Sequence, residues 1–204
     1  MTRPARTHGP VPLPPRRAAQ LHDAQLTAPW DPTAPDLVPP GYRRIEHEVP
    51  LVRRDLGGAG EDLLGWRMHG HAGIEVAVEA SPEPVLDARP GDPRPGRTHP
   101  GRAHPGDVIE LHLGVGPLGV SAPCRVLEVF DEPDRRGLTY GTLPGHPESG
   151  IERFEVLRAA DGALRMRVSG YSRPGSLLVR AGSPLARTVQ KRITRRYLRA
   201  LDEL

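Results

Sequence analysis

The segment Ile151-Glu-Arg-Phe-Glu-Val-Leu-Arg-Ala-Ala-Asp-Gly-Ala-Leu-Arg-Met-Arg-Val-Ser-Gly-Tyr-Ser172 decides the fold. Apolar and polar residues alternate on both sides of Asp161-Gly162, the period of a half-buried strand. In the first run Phe154 and Val156 share a face with Glu152. In the second, Leu164, Met166 and Val168 share one with Gly170 and Ser172. Matching the apolar faces selects a three-residue loop, Ala160-Asp161-Gly162, with Gly162 in the left-handed conformation. That register predicts Val156 opposite Met166, Phe154 opposite Val168 and Glu152 opposite Gly170.

Outward from this hairpin, residues 43–52, 74–78, 108–113, 124–130 and 138–143 also read as strands. The turn signals Glu132-Pro-Asp134 and Gly145-His-Pro-Glu-Ser-Gly150 join the later ones into an antiparallel meander. Residues 58–68 read as a short helix presenting Leu63, Leu64 and Trp66. The chain closes with a helix over 184–204, where Leu185, Val189, Ile193, Tyr197/Leu198 and Leu201 recur at three- and four-residue steps behind a Ser183-Pro184 start. The expectation is an α+β protein: a curved seven-stranded antiparallel sheet gripping that C-terminal helix. This order resembles the helix-grip topology of START and Bet v 1-like proteins, which implies a cavity for an apolar small molecule between sheet and helix.

Composition bounds the rest. A chain of 204 residues suits one domain. Its 23 glycines and 25 prolines are unevenly spread. Residues 1–41 read as a flexible Pro/Arg-rich tail, 42–204 as a single domain, and 81–106 as a Pro/Gly-rich, solvent-exposed insertion. The insertion repeats Pro-Gly-Arg-x-His, but a coil does not preorganise His99 and His104 as ligands, so no metal is expected. Net charge is +3, and acids nearly balance bases, unlike a dedicated nucleic-acid binder. Cys124 is the only cysteine, which excludes an internal disulfide and suits a reducing compartment. No membrane-length apolar run or secretory signal is seen, so a cytoplasmic location with no membrane insertion is expected.

The motif Tyr140-Gly-Thr-Leu-Pro-Gly-His-Pro-Glu-Ser-Gly150, with Glu152-Arg-Phe154, Tyr171-Ser-Arg-Pro174, Gln190, Tyr197 and the earlier Leu64-Gly-Trp-Arg-Met-His69, resembles uncharacterised protein family 0548. The resemblance spans about 42–201 apart from the insertion. It implies a set of residues of interest rather than a reaction or cofactor. The family pattern suggests Gly-Glu-Glu where this chain has Gly150-Ile151-Glu152, which removes one of two paired carboxylates.

Register places Leu138, Tyr140 and Thr142 on one strand face and Glu152 opposite Gly170, with Ser172 a diagonal neighbour. His146 and Glu148 fall in the adjacent turn, and Arg173 just beyond the last strand. Tyr140, Thr142, His146, Glu148, Glu152, Ser172 and Arg173 are therefore the candidate ligand-binding residues, polar groups converging at one end of an apolar face. The alternative is structural: satisfied strand-end polar groups and a loop shaped by its prolines and glycines. Functionally, the leading reading is a binding protein for a small, largely apolar ligand. Two others stand beside it: an enzyme moving protons through His146 and Glu152, and an interaction module using the basic helix face with Arg192 and Arg196. No nucleophile elbow, phosphate loop or zinc signature supports catalysis, and Cys124 reads as a buried inert thiol.

Overall fold

The computed structural model describes residues 9–79, 101–113, 119–175 and 196–204. Its elements are β1 (Val11–Leu13), α1 (Pro15–Asp23), β2 (Arg43–Pro50), α2 (Leu56–Leu64), α3 (Arg67–His71), β3 (Ile74–Glu79), β4 (Val108–Leu113), β5 (Val120–Asp131), β6 (Arg135–Thr142), β7 (Glu148–Arg158) and β8 (Leu164–Pro174). The strands form one eight-stranded sheet in the order β1-β3-β4-β5-β6-β7-β8-β2. From β3 to β8 it is an antiparallel meander, and β2 returns to pair with β8 along its whole length. A bulge between Val126 and Glu128 interrupts the β5–β6 ladder, a local irregularity of the kind that bends strands.

The β7–β8 hairpin has the register its sequence dictates: Val156 faces Met166, Phe154 faces Val168 and Glu152 faces Gly170. The Ala159 N–H donates to the Ala163 carbonyl at 2.8 Å, closing a three-residue loop in which Gly162 takes φ +78°.

Four expectations are corrected. The sheet has eight strands rather than seven, because residues 11–13 pair in parallel with β3. A short strand rich in proline fits only at a sheet edge, and β1 lies at one. Residues 9–41 are accordingly not a free tail. Pro15 stands at the first helical position of α1, and Ala18 and Leu21 bury against Leu13, Ala77, Val108 and Leu143. The α1 carbonyls that lack helical partners are met by Arg125, which donates to Leu21, His22 and Ala24 at 2.7, 2.8 and 2.9 Å. Finally, the helix expected over 58–68 is two helices broken at Trp66, the one non-glycine residue at positive φ (63°) among those described. Residues 101–106 of the expected insertion are also packed. Ala103 is buried, and its N–H donates to the Leu64 carbonyl at 2.9 Å. The rest of that stretch, residues 80–100, lies outside the described residues.

Strand alternation divides the sheet into two faces. On the inner face Ile74, Val76, Ile109, Leu111, Cys124, Val126, Leu138, Tyr140, Phe154, Val156, Met166 and Val168 join one core with α2, α3 and Tyr197, Ala200 and Leu201. Residues 196–200 are helical, while most of the helix expected over 184–204 lies outside the described residues. The outer face is covered at one side by α1 and further along by residues 28–42, where Ala28 packs on Ile151 and Tyr171 with Trp30 and Tyr42 beside them. No helix among the described residues is long and apolar enough to cross a membrane.

Candidate functional site

The inner face of β6 and β7 brings Tyr140 directly opposite Glu152, and the tyrosine hydroxyl donates to the carboxylate Oε2 at 3.0 Å. On the other side of Glu152 stands Gly170, with φ of +141°. A Cβ at 170 would collide with the Ile151 carbonyl oxygen, so backbone packing requires the glycine. Glu152 is half-buried over its whole surface, yet desolvation dominates its carboxyl. Its pKa is pushed up to about 7, with the Tyr140 hydrogen bond opposing the rise and the neighbouring Glu148 charge adding to it.

Aromatic rings surround this pair. Phe154 is fully buried with its centroid 5.4 Å from Tyr140, 5.0 Å from Tyr197 and 5.3 Å from His69. His69 lies 5.1 Å from Trp66 and 5.0 Å from Tyr197. The left-handed backbone at Trp66 ends α2 and starts α3 again in a new direction, which brings His69 over the sheet. Such a conformation costs a non-glycine residue about 1–2 kcal/mol. Neither ring nitrogen of His69 has a hydrogen-bond partner among the described residues, and desolvation lowers its pKa to about 3. The imidazole is neutral at any ordinary pH. Cys124 and Tyr197 lie within electrostatic reach of Glu152, and burial pushes both of their pKa values well up. The thiol is therefore protonated and inert.

The other sequence candidates separate into three groups. Glu148 and Ser172 lie beyond Glu152 toward the end of the inner face. Burial raises the Glu148 pKa, and Ser172 opposes the rise. Thr142 shares the face as expected, but its hydroxyl is committed. It receives the Gly150 N–H at 2.9 Å, reaches the Gly150 carbonyl at 3.2 Å and meets the Thr27 hydroxyl at 2.6 Å. His146 is held in the turn, where the Glu148 N–H donates to its Nδ1 at 2.9 Å, and burial takes its pKa down to about 4. Arg173 is not beyond the strand but within β8, on the opposite parity to Ser172. Its guanidinium covers the Tyr42 ring at 4.5 Å, and it is not part of the cluster. The residues that sequence reasoning did not place beside Glu152 are His69, Trp66, Cys124 and Tyr197. Three of them occur in the motifs that carry the family resemblance, which was the available signal.

This arrangement is an apolar and aromatic surface with one carboxyl group near neutrality and one histidine without hydrogen-bond partners among the described residues. Its hydrogen-bonding groups are the Glu152 carboxyl and the Tyr140 hydroxyl. Among the described residues, no group of three or more His, Cys, Asp or Glu side chains is gathered as for a metal ion.

Known proteins share parts of this chain. A UPF0548 protein of Deinococcus radiodurans is 46% identical over 77 residues, a match covering 38% of this chain and 39% of that protein's length. A hypothetical protein of Helicobacter pylori superposes with a TM-score of 0.52 at 10% identity, covering 100% of this chain and 98% of its own. The ginseng major latex-like protein 151 gives a TM-score of 0.48 at 13% identity over 76% of this chain and 94% of that one. A family model described as a domain of unknown function, DUF1990, matches residues 93–200, more than half of the chain, and to that family the protein belongs.

Proposed function

We propose that the protein binds a small, largely apolar molecule against the inner face of its sheet, with Glu152 and Tyr140 orienting the polar end. The observation that carries this reading is the Glu152 carboxyl. It lies among rings and aliphatic side chains with a single hydrogen-bond partner, Tyr140, among the described residues. A desolvated carboxyl with a pKa near 7 both donates and accepts hydrogen bonds around neutrality, which suits recognition of a hydroxyl or carbonyl in apolar surroundings. A carboxyl kept only for packing would be better replaced by an apolar residue.

Native mass spectrometry of protein isolated under non-denaturing conditions tests this. The expected result is an adduct lost on denaturation, and weakened in Glu152→Gln and Tyr140→Phe. A bare polypeptide mass in repeated preparations counts against the reading, and an adduct indifferent to both substitutions moves the ligand elsewhere.

One observation favours a second reading, proton transfer by Glu152, since a pKa of about 7 is matched to general acid–base work. His146 is a poor partner for it, with its Nδ1 engaged by the turn. Glu152→Gln separates the two readings: an enzyme keeps ligand and loses turnover, whereas a binder loses ligand.

A further inference from the structure

The outer face carries a concavity that the inner-face reading does not use. It is a groove of about 430 Å³ running along the outward side of β7, roofed at one end by Trp30 and residues 35–36. Alternation on β7 puts Ile151, Arg153, Glu155 and Leu157 on its floor, and the register brings Tyr171 beside Ile151 and Arg167 beside Glu155. Across β6, Glu155 is paired with Gly137, where the Phe130 ring packs so closely that no side chain fits.

The unusual member is Glu155. Its residue is only 3% exposed, yet its carboxylate makes no hydrogen bond among the described residues. The nearest cations are Arg135 Nη1 at 3.8 Å and Arg167 Nη1 at 4.0 Å, too far for hydrogen bonds. Both guanidiniums are anchored from behind, Arg135 on Glu132 at 2.8 Å and Arg167 on Glu48 at 2.7 Å, so they are held in place without closing on Glu155. Arg153 is held likewise by Glu128 at 3.3 Å and Asp36 at 3.5 Å. An acceptor and several guanidinium donors are thus fixed side by side, with neither satisfying the other.

Charge complementarity selects the occupant. A simple cation would meet Arg44, Arg135, Arg153 and Arg167, and a simple anion would meet Asp36, Glu46 and Glu155. A molecule with adjacent positive and negative groups answers both, donating to Glu155 and accepting from the arginines. Beyond the charged floor the groove ends in Trp30, Ile151 and Tyr171, a wall for apolar surface. We propose that this groove binds a small zwitterion of the α-amino-acid type with an apolar side chain, its ammonium on Glu155, its carboxylate on the flanking arginines and its side chain against Trp30. A groove of this volume lies within the range used for small molecules.

The protein carries two tryptophans, Trp30 at this groove and Trp66 at the inner face, so each candidate site has its own reporter. In protein labelled with 5-fluorotryptophan, two fluorine lines are expected, and Trp30→Phe assigns them. Titration with L-phenylalanine or L-leucine should shift the Trp30 line saturably and leave the Trp66 line in place. 3-Phenylpropionate, which lacks the ammonium, and phenethylamine, which lacks the carboxylate, should each bind at least about tenfold more weakly. Glu155→Gln should weaken the amino acid by a similar factor. A Trp30 line that stays still up to about 10 mM overturns the proposal. So does an equal response to all the compounds, or one unchanged by Glu155→Gln. Movement of the Trp66 line alone would also overturn it while leaving the inner-face reading intact.

Discussion

Strand β7 carries carboxylates on both faces, and Glu152 and Glu155 meet different surroundings. Glu152 looks inward, where one tyrosine hydroxyl and a wall of rings surround it, and desolvation raises its pKa to about 7. Glu155 looks outward, and burial raises its pKa too, but Arg153, Arg167 and Arg135 pull it back. The inward group is governed by loss of water, the outward one by competition between burial and charge. Free energy in this sheet resides in ring packing on one side, and in screened, individually weak ion pairs on the other.

The widest gap between the faces should appear on truncation. Phe154→Ala removes a fully buried ring in contact with His69, Tyr140 and Tyr197, and should cost about 3–5 kcal/mol in urea unfolding. Arg165→Ala on the outer face, which removes a pair with Glu48 at 3.2 Å, should cost about 0–1 kcal/mol. Comparable losses from the two would break the contrast.

Protonation gives the next largest effect. The Glu152 pKa is raised in the folded state, so its contribution to stability is fully present below the ordinary carboxylate range and is lost as pH climbs through about 7. His69 and His146 act in the opposite sense. Their pKa values fall to about 3 and 4, so the unfolded chain takes up protons that the folded one refuses, and stability is lost as pH drops below about 6.5. Because these trends overlap, the informative quantity is the difference between wild type and Glu152→Gln. Wild type should lose about 2–3 kcal/mol relative to the variant between pH 4.5 and 7. A flat difference would show that water reaches the carboxyl. His69→Phe should soften the loss on acidification below pH 6, with chemical denaturation as the readout in both cases.

These tests also bear on what the chain reveals of itself. The β7–β8 register was legible because a period of two is strict and Gly162 fixes the loop. That register alone carried Glu152 to Gly170, and face parity set Tyr140 on the same side. Thr142 shows the limit, since parity gives a side chain's face but not whether Gly150 and Thr27 already occupy its hydroxyl. Arg173 shows how a strand end matters: carrying β8 on to Pro174 turns that residue outward, over Tyr42. The β1–α1 unit was hidden because three residues between prolines carry almost no periodic signal, and their partners on β3 lie 66 positions away. His69 reaches Glu152's surroundings only because α3 restarts at a left-handed Trp66, a break in a helix-like sequence that no spacing rule expresses.

The smallest predicted effect is the one that most sharpens the contrast. A double-mutant cycle on Arg167 and Glu48, an exposed pair at 2.7 Å, should return a coupling of about 0.2–1 kcal/mol that fades between low salt and about 1 M salt. The matching cycle on Tyr140 and Glu152 should return about 1–3 kcal/mol and respond less to salt, because the hydroxyl donates to a largely desolvated acceptor. It should instead respond to pH, since ionisation above about 7 makes the acceptor charged and strengthens the bond just as the buried charge becomes costly. Equal salt sensitivity in the two pairs, or its absence in the outer one, would mean that solvent divides this sheet differently from the way its alternating residues do.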